Sequence, residues 1–140
     1  MNIQCKKIHN DAKVPEYAHA HDAGMDLFAL EEVIVPRGEI RKIGTGIALE
    51  IPEGYVGLCF DKSGLSMNHG IKVLGGVIDA GYRGEIVVGV INLGSQDHVF
   101  KKHDKVTQLL IQPVIRGIIV ETDELSDTDR GARGFGSTGK

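Results

Sequence analysis

The segment RGARGFGSTGK at positions 130–140 carries four glycines, three cations and one aromatic ring. Glycine lets backbone N–H groups approach an anion closely, and arginine adds forked donors that match phosphate oxygens. Phe135 offers a flat face on which a nucleobase can stack. Phosphate and base together indicate a nucleotide. The segment has too little apolar surface to fold alone, so a disordered solubilising tail is the alternative interpretation.

A second cluster lies in GGVIDAGYRG at positions 75–84, where an apolar strand runs into a tight turn. The turn contains Asp79, Tyr82 and Arg83. Functional sites concentrate at strand ends and loops, and a purely structural hairpin would need the glycines but not this trio. A functional turn and a structural hairpin are equally compatible with the pattern.

Three weaker clusters each have an ordinary structural explanation. Asp61, Lys62 and Ser63 open the only predicted helix, whose N-terminus favours phosphate, although Ser63 is also a common type of N-cap. Asp26, in AGMDL at 23–27, could hold a metal-bound water or be a turn aspartate. Gln108 in a buried strand could be a satisfied core amide.

The elements that must position these residues are mostly strands. Val and Ile together number 28 against 10 Leu, and 19 glycines punctuate the chain at short intervals. This composition predicts an all-β sandwich or barrel. We expect strands at 3–8, 25–30, 33–35, 40–43, 47–51, 55–60, 85–93, 106–111 and 115–120, and one helix at 63–69. The run at 85–93 is nearly continuously apolar, which predicts a core strand or a strand with one face against a partner subunit.

Length and charge narrow the function classes. A chain of 140 residues is expected to form one domain, with a barrel at 1–120 and an acidic linker and glycine-rich lid at 121–140. The net charge of −3 argues against nucleic-acid binding, and no apolar run is long enough to span a membrane. Cys5 and Cys59 lie far apart in the sequence and form no C-x-x-C motif, which predicts that both are reduced thiols. We expect a cytoplasmic location, or a nuclear one if the source is eukaryotic or viral.

The five clusters, taken in order, resemble the trimeric dUTPase family over nearly the whole chain. The most specific matches are GVIDAGYRG at 76–84 and RGARGFGSTG at 130–139, with weaker ones at 23–27, 63–65 and 107–109. The resemblance implies a jelly-roll-like β-barrel that assembles as a homotrimer with shared active sites. It also implies hydrolysis of dUTP to dUMP and pyrophosphate with Mg²⁺, which keeps uracil out of DNA and supplies dUMP for dTMP synthesis.

The resemblance also implies a role for each matching residue. Asp79 would orient the attacking water as general base, Gln108 would lie near the α-phosphate, and Asp26 would bond to waters of Mg²⁺. Tyr82 would pack on the deoxyribose and exclude a 2′-OH, and Phe135 would stack over uracil. The remaining implied substrate-binding residues are Lys62, Ser63 and Gly64 in the phosphate loop, Val73, Gly76, Val77 and Ile78 at the uracil edge, and Arg130, Gly136, Ser137 and Thr138 in the lid.

One departure from the family pattern concerns the phosphate loop, which usually reads Pro-Arg-Ser-Gly-Leu and here begins with Asp61 and Lys62. Lysine is a point charge and not a bidentate fork, so we expect a weaker grip on phosphate. Asp61 adds a negative charge that could pair with Lys62. The related dCTP deaminase group carries a glutamate where this chain has Gly89, which disfavours that activity. A non-catalytic dUTP-binding regulatory protein on the same fold is the other alternative.

Overall fold

The computed structural model describes residues 1–134 and confirms an all-β chain with one short helix. No helix among these residues is long and apolar enough to cross a membrane. The elements are β1 Gln4–Lys7, β2 Met25–Phe28, β3 Val33–Val35, β4 Ile40–Gly44, β5 Ile47–Glu50, β6 Tyr55–Phe60, α1 Ser63–His69, β7 Ile71–Leu74, β8 Val77–Ile78, β9 Val87–Asn92, β10 His98–Phe100 and β11 Lys105–Pro113.

The strands form four antiparallel groups around one core. A four-stranded sheet has the order β2-β11-β6-β8, and a three-stranded sheet has the order β4-β9-β7. Two smaller ladders pair β1 with β5 and β3 with β10. This arrangement agrees with the predicted jelly-roll-like sandwich, but the ladders of the described residues do not close into a continuous barrel.

The core consists mainly of β-branched and aromatic side chains from these strands, as the composition predicts. Phe28, Phe100 and Val90 are among the fully buried residues. Asn92 is also fully buried, and its amide donates to the carbonyl oxygens of Val35 at 2.9 Å and Gln96 at 2.8 Å. Because its own oxygen accepts from the backbone N–H of Gly94, the buried amide is satisfied and ties β9 to β3.

The helix α1 spans the predicted residues, but Ser63 is its first residue and not its N-cap. The N-cap is Lys62, which makes no side-chain capping bond. The helix ends at Gly70, whose φ of 71° is left-handed. A Cβ at this position would lie 2.4 Å from the backbone nitrogen of Gly94, so the end of α1 requires glycine for both conformation and space.

Two predicted strands differ from the structure in more than their end residues, and the strands β7 and β10 were not predicted. The prediction of a strand at 115–120 is wrong. The segment has no regular structure, because no described strand pairs with it. The run at 85–93 forms β9 at Val87–Asn92, in which buried and less buried residues alternate. In the single chain β9 therefore buries only one of its faces fully.

Candidate functional site

The chain crosses between the two larger sheets at Gly75 and Gly76. β7 belongs to the three-stranded sheet and β8 to the four-stranded sheet, so residues 73–78, here called the crossover segment, pass from one sheet to the other and β7 and β8 do not pair as a hairpin. Both glycines have positive φ, 71° and 103°. A Cβ on Gly76 would lie 2.8 Å from the carbonyl oxygen of Cys59, so only glycine allows this close backbone approach.

A cavity of about 250 Å³ lies beside the crossover segment. Cys59 lies in its wall and donates its backbone N–H to the carbonyl oxygen of Gly76 at 2.8 Å. Burial raises the pKa of the Cys59 thiol to about 11, so the wall is neutral there. The cavity brings together six residues predicted from the sequence: Val73, Gly76, Val77, Ile78, Asp79 and Tyr82.

The polar end of this cavity is a tight turn. Asp79 directly follows β8, its side chain is exposed, and its carbonyl oxygen accepts from the backbone N–H of Tyr82 at 3.0 Å. The Tyr82 hydroxyl donates to the carbonyl oxygen of Glu85 at 2.8 Å. A Cβ on Gly84 would lie 2.5 Å from that hydroxyl, so the tyrosine ring lies directly against the glycine. The ring is therefore held at the rim of the cavity.

A second group of predicted residues surrounds Asp26 on β2, which is only 3% exposed. One carboxylate oxygen accepts from the ammonium group of Lys62, and the other lies 2.6 Å from the ammonium nitrogen of Lys105. Burial acts to raise the pKa of Asp26, but the bonds and charges of Lys105 and Lys62 outweigh it and lower the pKa below its ordinary value. Asp26 is therefore an ionised carboxylate between two cations.

Gln108 on β11 pairs with Asp26 in the ladder and also reaches the phosphate loop. Its side-chain nitrogen donates to the carbonyl oxygen of Asp61 at 2.8 Å. The Asp61 carboxylate pairs with Lys72 at 2.6 Å, so the pairing with Lys62 suggested by the sequence is wrong. The reason is spatial: β7 brings Lys72 beside Asp61, whereas Lys62 points to Asp26.

The other predicted residues lie apart from the cavity. Ser63 and Gly64 are exposed at the start of α1 and, like Lys62 and Gln108, do not line it. The Arg130 side chain bonds within its own turn, to the carbonyl oxygen of Arg133 at 3.0 Å. The structure thus groups the crossover segment with Asp79 and Tyr82, and the phosphate loop with Asp26 and Gln108. The predicted residues Phe135, Gly136, Ser137 and Thr138 lie outside the described residues.

Sequence reasoning missed Lys105, Lys72 and Glu85. Lys105 begins β11 three positions before Gln108, and its side chain reaches Asp26 because β11 pairs with β2. Lys72 donates to the carboxylate of Asp61, and the carbonyl oxygen of Glu85 accepts from the hydroxyl of Tyr82. An alternating strand pattern could have placed Lys72 on a polar face, but no local signal indicated its partner.

Comparisons with known proteins agree over nearly the full length. The dUTPase family model matches residues 10–139. The chain is 51% identical over 140 residues to the deoxyuridine 5′-triphosphate nucleotidohydrolase of Alkaliphilus metalliredigens, with 99% of this chain and 97% of that protein covered. It is 46% identical to the corresponding Nautilia profundicola protein, with 100% of each covered.

Solved structures show the same similarity in three dimensions. A variant of the dUTPase of Staphylococcus bacteriophage 80alpha with dUpNHpp has a TM-score of 0.93 and 29% identity, covering 99% of each chain. A variant dUTPase from phage phi11 of S. aureus, described with a structural Mg(II) ion, has a TM-score of 0.83 and 29% identity, covering 89% of this chain and 98% of that one.

Proposed function

The chain belongs to the dUTPase family, and we propose that it binds uracil beside the crossover segment and directs water at the α-phosphorus from Asp79. It hydrolyses dUTP to dUMP and pyrophosphate with Mg²⁺, which keeps uracil out of DNA and supplies dUMP for dTMP synthesis. The observation that carries the proposed site is the position of Asp79, exposed in the same cavity that the crossover segment lines.

Uracil recognition depends on backbone groups of the crossover segment. Peptide N–H and C=O groups at residues 73–78 can pair with O4, N3–H and O2 of uracil, and Gly75 and Gly76 permit a close approach. Cytosine reverses the donor pattern at positions 3 and 4 and would leave buried groups unpaired, and a site of this type rejects such analogues by about 10⁴–10⁵-fold. Thymine keeps the same edge, so its 5-methyl group must be excluded by shape.

The sugar lies against Tyr82. The hydroxyl bond to Glu85 and the contact with Gly84 hold the ring in place, which supports its role in excluding a ribose 2′-OH. A ring free to rotate could yield to the extra oxygen. Asp79, three positions earlier, places its carboxylate at the same rim and there orients the attacking water. A carboxylate is a weak base at neutral pH, so most of the rate enhancement comes from positioning and from charge stabilisation on the phosphates.

The donor set of this chain fits a Mg²⁺ ion carried by substrate oxygens. The described residues contain no group of three or more His, Cys, Asp or Glu side chains that could hold a metal. Mg²⁺ characteristically keeps several waters and binds phosphate oxygens, whose negative charge it neutralises. Asp26 remains the predicted partner of those waters. Both of its oxygens face lysine ammonium groups, so this role requires Lys62 or Lys105 to withdraw.

We further propose a homotrimer with shared active sites. In the single chain the phosphate loop does not line the cavity that contains Asp79. Ile115, Ile118 and Ile119 are 96%, 91% and 93% exposed, and such a contiguous apolar segment indicates a protein interface. In this proposal residues 1–120 form the catalytic β-sandwich of each subunit. Residues 121–140 act as a lid that brings Arg130, Phe135, Gly136, Ser137 and Thr138 to a neighbouring site.

We also propose a cytoplasmic location and no nucleic-acid partner. Both cysteines are unpaired in the structure, which agrees with a reducing compartment. The net charge of −3 supports a small-molecule substrate over a nucleic-acid chain.

The test of this site is pyrophosphate release from dUTP with Mg²⁺ by the wild type and by Asp79→Asn. Asparagine keeps the shape of the side chain but cannot accept a proton, so we expect a loss of about 10²–10⁴-fold in kcat. The wild type should release pyrophosphate far more slowly from dCTP, dTTP and UTP.

The matched control is Asp11→Asn, which makes the same chemical change at an exposed aspartate outside the cavity. It should retain full activity. An Asp79→Asn variant with wild-type kcat would contradict the role of Asp79 in directing water. Binding of dUTP by the wild type without pyrophosphate release would instead support the regulatory alternative.

A further inference from the structure

Asp61 lies in the loop between β6 and α1, at the junction of the two larger sheets. One carboxylate oxygen accepts from the backbone N–H of Val73 at 2.7 Å. The other oxygen pairs with the ammonium group of Lys72 at 2.6 Å. Val73 and Lys72 both lie on β7, whereas β6 belongs to the other sheet. A single side chain therefore joins the loop after β6 to a strand of the opposite sheet.

This contact controls one end of the crossover segment. The far end of the segment, at residues 77–78, is held by strand pairing, because Ile78 and Val77 pair with Gly57 and Leu58 of β6. The near end is Val73 on β7. At the near end, β7 has a neighbouring strand only on its β9 side among the described residues. Val73 is 8% exposed, and its N–H donates to Asp61. Without the Asp61 carboxylate, the buried N–H of Val73 would have no acceptor. The near end of the crossover segment would then lose its attachment to the loop between β6 and α1.

Asp61 also contacts the group of residues expected to bind phosphate. Its carbonyl oxygen accepts from the side chain of Gln108 at 2.8 Å, and the chain continues directly into Lys62 and Ser63. The same residue thus bonds to the strand that leads into the uracil edge and to the side chain expected near the α-phosphate.

The charge of Asp61 is compensated locally. Burial acts to raise the pKa of its carboxyl, but the bonds from Lys72 and from the Val73 N–H outweigh burial and lower the pKa. The ionised carboxylate is therefore matched by Lys72 and does not stand as an unpaired negative charge beside the phosphate loop.

We propose that Asp61 is a positioning residue for substrate binding. Its carboxylate holds β7 against the loop that follows β6 and thereby keeps the near end of the crossover segment, where uracil is proposed to bind, in place. It acts through Val73 and does not touch the substrate. The inference rests on the proposed function, because it requires uracil to bind beside the crossover segment.

The first test compares Asp61→Ala with Asp61→Asn in steady-state hydrolysis of dUTP by the full chain with Mg²⁺. Alanine removes the acceptor for the Val73 N–H, so KM should rise about tenfold while kcat stays within about twofold. Asparagine keeps an acceptor oxygen at the same distance and should hold KM within about threefold of the wild type. Asp11→Asn, which alters an ion pair of 2.8 Å with Lys102, is the control and should change neither constant.

The second test measures amide hydrogen exchange at Val73 in the absence of substrate. Protection of this amide should fall in Asp61→Ala and persist in Asp61→Asn. Asp61→Glu keeps the charge but displaces the oxygens by one methylene, so it should raise KM severalfold and lower the protection of Val73. This variant supplies the same comparison if Asp61→Ala does not fold.

Wild-type KM in Asp61→Ala or, should that variant not fold, in Asp61→Glu would overturn the proposal. A fall in kcat with unchanged KM would overturn it as well, because the effect would then lie on the chemical step. A wild-type chain that neither binds nor hydrolyses dUTP would instead contradict the proposed function. In that case, amide hydrogen exchange at Val73 would still show whether Asp61 holds the Val73 N–H.

Discussion

Lys62 is engaged before any substrate arrives. Its ammonium group bonds to the buried carboxylate of Asp26, which also faces Lys105. In its proposed phosphate-binding role, Lys62 would have to exchange one anionic partner for another, and the net gain in free energy would be the difference between the two. A lysine offers a single point charge for this exchange, whereas an arginine offers a fork that matches phosphate oxygens.

We predict that Lys62→Arg lowers KM for dUTP roughly threefold to tenfold and leaves kcat nearly unchanged, because bidentate bonds to phosphate are stronger. Steady-state kinetics with dUTP and Mg²⁺ measures this. Lys102→Arg, the same change at a lysine that pairs with Asp11, is the control and should have no effect. Unchanged KM in Lys62→Arg would show that the cation type at this position does not limit phosphate binding.

The short helix α1 is stabilised by contacts at its C-terminus more than by contacts at its N-terminus. No side chain caps its N-terminus, and none of its residues is fully buried. At its C-terminus, Gly70 bonds through its N–H to Ser66 and through its carbonyl oxygen to the N–H of Leu93 at 2.8 Å. The left-handed turn at Gly70 thus fixes where α1 ends and where β7 begins, and β7 leads into the crossover segment.

We predict that Gly70→Ala destabilises the protein by about 2–4 kcal/mol, because it adds left-handed backbone strain to a steric conflict with Gly94. Chemical denaturation at one fixed protein concentration measures the change. The control is Gly64→Ala in the first turn of the same helix, where a Cβ meets no atom within 4 Å. This control should match or exceed wild-type stability, since alanine favours helix by about 1 kcal/mol over glycine. Equal stability of both variants would refute the role assigned to Gly70.

At the scale of the whole molecule, the single chain leaves two features incomplete. The cavity with Asp79 and the group around Asp26 and Lys62 remain separate. The segment at 114–120 exposes apolar side chains and pairs with no strand within residues 1–134. Both features are explained if a neighbouring copy covers the segment and contributes its phosphate loop or its lid. Assembly and activity would then be linked.

We predict that the wild type sediments at three times the chain mass of 15.1 kDa. The double change Ile118→Ser and Ile119→Ser should lower that mass and the activity together, because it removes apolar area from the interface. Analytical ultracentrifugation and dUTP hydrolysis measure the two quantities. Met67→Ser, at an 82% exposed position on α1, should leave the mass unchanged. A trimeric, active double variant would exclude this segment from the interface.

Much of the fold could be predicted from the sequence, because strand and helix signals are local. The strands at Val33–Val35 and Tyr55–Phe60 and the helix Ser63–His69 have the predicted bounds. The segment at 115–120 has an equally strong apolar pattern but is not a strand, since a strand also needs a partner. The turn that contains Asp79 and Tyr82 was predicted, but the passage between two sheets at Gly75 and Gly76 was not, because turn chemistry does not reveal which sheet each flanking strand joins.

The sequence by itself determined the all-β class, the helix that begins at Ser63 within the phosphate loop and the candidate residues Asp79 and Tyr82. Composition, periodicity and motif order carry that information within short stretches of chain. Only the tertiary structure decided which charges meet: Asp61 pairs with a lysine 11 positions away, and Asp26 bonds to one 36 positions away. Such partners are brought together by the packing and register of strands from distant parts of the chain, which no local pattern encodes.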